Sequence, residues 1–324
     1  MKEFEHINKA YNNVFKPGEL SIGVVVPIEN YDQGLEPTME HHLERVELIE
    51  DLGFKALWLR DVPFNVPSFG DAGQMYDPFT YLGFLTGRTS KIALGVSSIA
   101  LPLQHPVHVA KAAATIDQLS GGRLLLGVAS GDRHDEYPAM GIDYENRGEL
   151  FREAFEYIRK AQENHPKLVT KFFGDLKGHI DILPKAKNHK IPMLMTGFSQ
   201  QSMEWNAKNA DGWVYYPRDP RQQKYRIAEW RKLVADTGEF DKPFMQPLYV
   251  DVQEDDNFSP QPIHLGFRTG VNYLNSYFQH LKTIGVNHVS LNLRFNSNTM
   301  ERSLEKLAEK VLPQFHSIKK EEAH

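Results

Sequence analysis

The chain has 324 residues, 41% hydrophobic and 24% charged, with a net charge of −5 and no cysteine. The missing cysteine excludes disulfides, thiolate metal sites and a cysteine nucleophile, and the acidic balance gives no electrostatic reason to expect nucleic acid or an anionic membrane as partner. No apolar run approaches the ~20 residues of a membrane span, and the opening MKEFEHINKAYNNVF lacks the apolar core of a secretory signal. The cytoplasm is therefore the expected location. A chain of this length fits two ordinary domains or one α/β barrel, and a single domain over 1–324 is expected.

Strand and helix signals alternate along the chain. Residues 20–27 (LSIGVVVP) form the first apolar β run. A helix follows at 37–52, with Met39, Leu43, Val46 and Ile49 at helical spacing and Gly53 as its stop. Further β runs lie at 55–60, 92–97, 123–129, 191–196, 212–216, 244–252 and 288–293. Helices are expected between and after them, at 78–89, 106–119, 145–163, 200–209, 220–237, 269–284 and 300–315. Eight strand–helix pairs predict a (β/α)8 TIM barrel. A doubly wound sheet would announce itself with GxGxxG after the first strand, where this chain has Val26-Pro27-Ile28-Glu29. Two connections are long. The first, 164–190, between helix 4 and strand 5, contains LVTKFFGDLKGHIDILP and reads as a hairpin excursion covering the barrel mouth. The second, 254–265 (EDDNFSPQPIHL), reads as a polar, mobile excursion.

Barrel function sits on the loops after the strands. Strand two ends in Arg60-Asp61-Val62-Pro63-Phe64, strand three in Ser97-Ser98, and strand four in Ser130-Gly131-Asp132-Arg133-His134. Strand five ends in Gly197-Phe198-Ser199-Gln200-Gln201-Ser202, strand six in Tyr215-Tyr216-Pro217-Arg218, and strand eight in Arg294-Phe295-Asn296. Gly197 lets a ligand approach the backbone, and Ser199 and Ser202 open a helix whose free N–H groups favour an anion. Capping alone also accounts for Ser199. Arg147, opening the fourth helix, reads as a bidentate phosphate partner or as a solvated charge. Phe64, Phe69, Tyr76, Phe198, Tyr215 and Tyr216 give the mouth an aromatic lining or pack its loops. His105, which precedes Pro106, reads as a helix cap. No HExxH or GxSxG occurs, so neither a metal-dependent hydrolase nor a nucleophilic triad is expected.

Two stretches, ALPLQHPVHVAKAAATIDQLSGGRLLLGVASG and IPMLMTGFSQQSMEWNAKNADGW, resemble the bacterial luciferase-like flavin-dependent monooxygenase family. The resemblance is dense over 20–161, returns at 191–213 and thins towards the end. It implies a TIM barrel binding reduced FMN at its mouth, or in one branch the deazaflavin F420. Ser97 and Ser98 match the pair that backs the flavin ring, often through a non-prolyl cis peptide. Ser130 matches a residue contacting flavin or phosphate, and Arg147, Ser199 and Ser202 match phosphate ligands, beside Gly197 and Phe198. The resemblance further implies a small organic substrate, O2, a separate NAD(P)H-dependent flavin reductase and a homodimer. One departure bears on mechanism. Luciferases carry adjacent histidines after strand two, one of them important for catalysis, where this chain reads Trp58-Leu59-Arg60-Asp61-Val62-Pro63. Strand four ends Ala129-Ser130 in place of a Cys and an Arg. Light emission with a long-chain aldehyde is thus not expected. Asp61 is left as the carboxylate base or a turn residue, with His134 and Arg133 as other candidates. Arg294 is a candidate for orienting an anionic or carbonyl substrate. F420-dependent hydride transfer and a non-catalytic flavin-binding barrel are the alternatives.

Overall fold

A computed structural model describes residues 2–31, 34, 36–69, 73–238 and 240–316. Eight parallel strands close a barrel: β1 Ser21–Val25, β2 Ala56–Leu59, β3 Ala93–Ala100, β4 Leu124–Ala129, β5 Met193–Thr196, β6 Gly212–Val214, β7 Phe244–Val252 and β8 His288–Asn292. Closure runs through β6–β7, where Trp213 and Val214 pair with Phe244 and Met245. The helices are α1 His42–Asp51, α2 Pro78–Thr86, α3 Pro106–Ser120, α4 Arg147–Lys160, α5 Met203–Asn209, α6 Pro220–Thr237, α7 Val271–Ile284 and α8 Met300–Lys310. Their starts are written in the sequence. Asp77, His105 and Asp219 accept a hydrogen bond from the first turn, each followed by a proline whose missing N–H is not needed there. Gly121 ends α3 at φ +73°, a left-handed turn that glycine adopts without penalty.

Period-two alternation sorts the strands into two cores. Leu57, Leu59, Leu124 and Leu126 face the helices, whereas Ala56, Trp58 and Leu125 face the barrel axis. Large and small residues interlock inside. A Cβ on Gly95 would lie 2.5 Å from the Trp58 ring, and one on Gly23 would lie 2.9 Å from His288 Nε2. Trp58 Nε1 donates to His288 Nε2 at 2.8 Å, His288 Nδ1 lies 2.6 Å from Ser21 Oγ, and Ser21 Oγ donates to the Val14 carbonyl. The N-terminal segment, read above only for its lack of a signal, closes the lower end of the barrel. Its helix Lys9–Val14 brings Ile7, Tyr11, Val14 and Phe15 onto the interior cluster.

Both excursions differ from expectation. The first does form a hairpin, Lys167–Leu168 against Leu176–Lys177, but it lies along the flank of α3 and α4. Lys171 pairs with Glu149, Phe173 packs edge-on against His105, and Lys185 donates to the carbonyls of Ala161 and Glu163. None of its residues lines the cavity at the mouth. The second is ordered: Gln261–Ile263 and Gly266–Thr269 make a hairpin whose second strand pairs in parallel with Tyr249–Val252. The outer half of β7 is an open edge, and its ladder groups need partners.

Candidate active site

A cavity of about 350 Å³ opens at the carboxyl ends of the strands. Its floor is Trp58 and Val25, and one wall is the junction of β3 and β4. There the ladder register shifts between Val96 and Ile99, and the Ser97–Ser98 peptide is cis, as the family resemblance implied. Both serines face the cavity, and Ser98 Oγ donates to Thr196 Oγ1 at 2.9 Å. The strands approach so closely that a Cβ on Gly127 would lie 2.3 Å from the Val96 carbonyl oxygen. Ser130 is buried on the same wall, its carbonyl accepting from the Tyr137 hydroxyl.

The loop after β5, the strand next to β4, continues this wall. Gly197, Ser199 and Gln200 all have positive φ, which delays the helix until Met203. Ser199 therefore does not cap α5: its Oγ donates to the Thr196 carbonyl at 2.8 Å. The cap is Ser202, which accepts from Trp205 N, is exposed and lies outside the cavity lining. Gly197, Phe198 and Ser199 line the cavity, and Phe198 packs on Trp213 and Tyr215. The loop is fastened to the start of α4, where Gln201 Nε2 donates to the Gly148 carbonyl and Arg152 Nε to Gln201 Oε1. Arg147 stands at this junction. Its guanidinium lies 3.7 Å over the ring of the cavity residue Tyr144, Nη1 donates to the Tyr144 carbonyl, and Nε is buried without a hydrogen-bond partner. Arg147 itself does not line the cavity.

Three carboxyl residues line the cavity, Asp61, Asp132 and Glu136, and burial bears on two of them. Asp61 Oδ2 accepts from Ala100 N at 3.2 Å and from Gln104 Nε2 at 3.1 Å, and burial raises its pKa to about 6. Glu136, which the sequence reading missed, is 3% exposed, and burial raises its pKa to about 7 against the opposing pull of Arg133. Its Oε1 is buried with no hydrogen-bond partner. Nothing in the run Asp132-Arg133-His134-Asp135-Glu136 marks one acid as buried; only the short helix Glu136–Ala139 turns it inward. Arg133 lines the cavity with its guanidinium over Phe69.

Other candidates fall outside the cavity lining. His134 is exposed, beside Asp135 and against the Tyr144 ring. Arg294 is buried, donating to the Gly34 carbonyl at 2.8 Å with its guanidinium over Tyr31. Of the six aromatics, Phe69, Phe198 and Tyr216 line the cavity; Phe64 is exposed outside the lining, Tyr215 is buried against Trp213, and Tyr76 packs with His42 and Tyr81. Among the described residues no three His, Asp or Glu are placed to hold a metal ion, and no helix is long and apolar enough to cross a membrane.

A family model described as luciferase-like monooxygenase matches residues 20–257. The alkanal monooxygenase beta chain of Photorhabdus luminescens is 30% identical over 225 residues, 67% of this chain and 66% of that one, so the match spans just under two thirds of the relative. Among solved structures, a monooxygenase from Streptomyces bottropensis superposes with a TM-score of 0.74 at 18% identity, covering 91% of this chain and 100% of that one. An F420-dependent secondary alcohol dehydrogenase, in complex with an F420-acetone adduct, gives 0.74 at 17% identity over 92% and 100%. These two likenesses establish the barrel; the sequence match from β1 into the connection after β7 establishes more. The chain belongs to the luciferase-like monooxygenase family.

Proposed function

We propose that this chain is a flavin-dependent monooxygenase that takes reduced FMN into the mouth cavity and acts, with O2, on a small organic substrate. One observation carries the reading: the cavity runs from the small-residue wall of Ser97 and Ser98 towards the α4–α5 junction, where Arg147 Nε is buried and unpartnered. A flat ring needs a wall without projecting side chains, and a phosphate needs donors that are not already spent. The volume lies within the range of small-molecule sites. Ser97, Ser98 and Ser130 would flank the ring, with Gly197 and Phe198 alongside. Arg147 would hold the phosphate through its unspent Nε, and Ser199 and Ser202 would join it by turning their hydroxyls from the Thr196 carbonyl and from the start of α5. A 3,6-diketocamphane monooxygenase from Pseudomonas putida in complex with FMN has the same fold, with a TM-score of 0.72 at 13% identity, 92% of this chain and 99% of that one being covered.

Bound reduced flavin supplies the electrons for the oxygenation. The chain excludes water, packs the substrate against Phe69, Phe198 and Tyr216, and accepts a proton at Asp61. A separate NAD(P)H-dependent reductase delivers the flavin, and the protein works in the cytoplasm. The same reading has the chain act as a homodimer. F420 is the second reading, favoured by the equal fit of the F420-dependent neighbour. Anaerobic equilibrium titration with reduced FMN and reduced F420 separates the two. FMN is expected to bind the tighter, and tight F420 binding with negligible FMN affinity overturns the proposal.

A further inference from the structure

We propose that Glu136 and Asp61 act as a coupled acid–base pair on the cavity wall, holding one exchangeable proton between them for the substrate. This rests on the monooxygenase reading above and supplies the proton chemistry that the missing histidine leaves open. The two carboxyls come from different loops, after β4 and after β2, and line the same cavity. Their surroundings divide the roles. Asp61 Oδ2 receives two N–H donors, from Ala100 and Gln104, which favour its anion. Glu136 is 3% exposed, yet its cavity-side carboxyl has an oxygen, Oε1, that receives no donor. An anion left so bare is unfavourable, whereas a protonated carboxyl, or one met by a ligand donor, is not.

Among the described residues, Glu136 is faced by Arg133, Asp61, Asp132 and the Phe64 amide, and Asp61 by Asp77, Gln104 and the Ala100 amide. Tyr216 shares the mouth with Arg60, Arg133 and Asp132. Burial raises both carboxyls, and the Asp61 carboxylate raises Glu136 further, so Asp61 releases its proton first and Glu136 second. Between about pH 6 and pH 7 the prevailing state is one carboxylate, Asp61, and one carboxylic acid, Glu136. The Asp61 carboxylate takes a proton from a substrate O–H, N–H or C–H bond, leaving the electron pair on the substrate. The Glu136 carboxyl gives its proton to an oxygen anion of the product. Loss of a proton from Asp61 to solvent at the mouth and uptake of one by Glu136 then reset the pair with no net change.

The first test needs no flavin. Wild type, Glu136→Gln and Asp61→Asn, labelled with 13C at the Glu and Asp carboxyls, are titrated by NMR. One glutamate is expected to keep its proton towards neutral pH, to vanish in Glu136→Gln, and to titrate lower in Asp61→Asn, where the neighbouring carboxylate is gone. A Glu136 carboxyl ionised by about pH 5, or a Glu136 titration unmoved by Asp61→Asn, overturns the pair. If Glu136→Gln does not fold, the wild-type spectrum against Asp61→Asn decides by the same criteria. With flavin loaded, Glu136→Gln is expected to lower kcat about a hundredfold and flatten the alkaline limb of its pH profile, with KM unchanged. A change in KM alone refutes the acid role. Failure of the wild type to bind reduced FMN sinks the monooxygenase reading while leaving the titration result intact.

Discussion

Glu136 should make the protein less stable than it need be at alkaline pH, and replacing it with glutamine should reveal by how much. Its carboxyl has a pKa of about 7 in place of 4.5. The folded state therefore keeps a proton that the unfolded chain gives up between those values. Stability falls as the pH rises through that window and is unaffected below it. Each tenfold change in acidity corresponds to about 1.4 kcal/mol, so full ionisation costs at most about 3 kcal/mol. Water in the open cavity reduces this to about 2 kcal/mol. Glutamine has nearly the same shape and never ionises. Urea unfolding followed by circular dichroism should find Glu136→Gln about 2 kcal/mol more stable than wild type near pH 8.5. The gap should shrink to zero by about pH 4.5 with the denaturant slope unchanged. A variant no more stable at pH 8.5, or a gap independent of pH, would refute the reasoning. A stabilising substitution that also slows turnover is the usual mark of a residue kept for function.

Three further outcomes are expected. His288 and His316 are buried, and burial depresses their pKa values to about 3 and about 4. Stability should fall as the pH drops below 6.5, with His288 alone contributing about 3 kcal/mol of loss by pH 4; thermal melts that do not move over this range would contradict it. Gly127→Ala drives a Cβ into the Val96 carbonyl and should cost about 3 kcal/mol, seen as a lower urea midpoint together with weakened flavin binding. Arg147→Gln should weaken FMN about tenfold to a hundredfold, the worth of a charge-assisted hydrogen bond, and leave riboflavin binding unchanged. Equal losses for both ligands would remove Arg147 from the phosphate site.

The barrel was legible because its signals are local. Alternation at Leu57–Trp58–Leu59 fixes which side faces the axis, and Pro106 and Gly121 mark the ends of α3 from the chain alone. The wall of Ser97 and Ser98 was legible by position, since every barrel ligand site lies where the strands end. What stayed hidden depends on distant contacts. The flank hairpin is held by Glu149 and His105, neither of which is near it in sequence. The hairpin at 261–269 pairs with the spare edge of β7, which the period of its own residues does not announce. Glu136 differs from Asp132 and Asp135 only in the direction a four-residue helix gives it. The exchange of roles between Ser199 and Ser202 follows from three residues at positive φ, two of them not glycine.

The polar chain under the cavity floor has a direction. His288 is neutral, and its Nε2 accepts from Trp58, so its only proton sits on Nδ1 and points to Ser21 Oγ. Ser21 in turn passes its own hydrogen to the Val14 carbonyl, which cannot relay it. Every donor in the chain points downward, away from the ligand, and the last acceptor is a dead end. The floor is therefore a proton insulator. Any proton that enters or leaves a bound molecule must travel sideways through the loop carboxyls or outward to solvent, and the barrel's most buried histidine takes no part in the traffic.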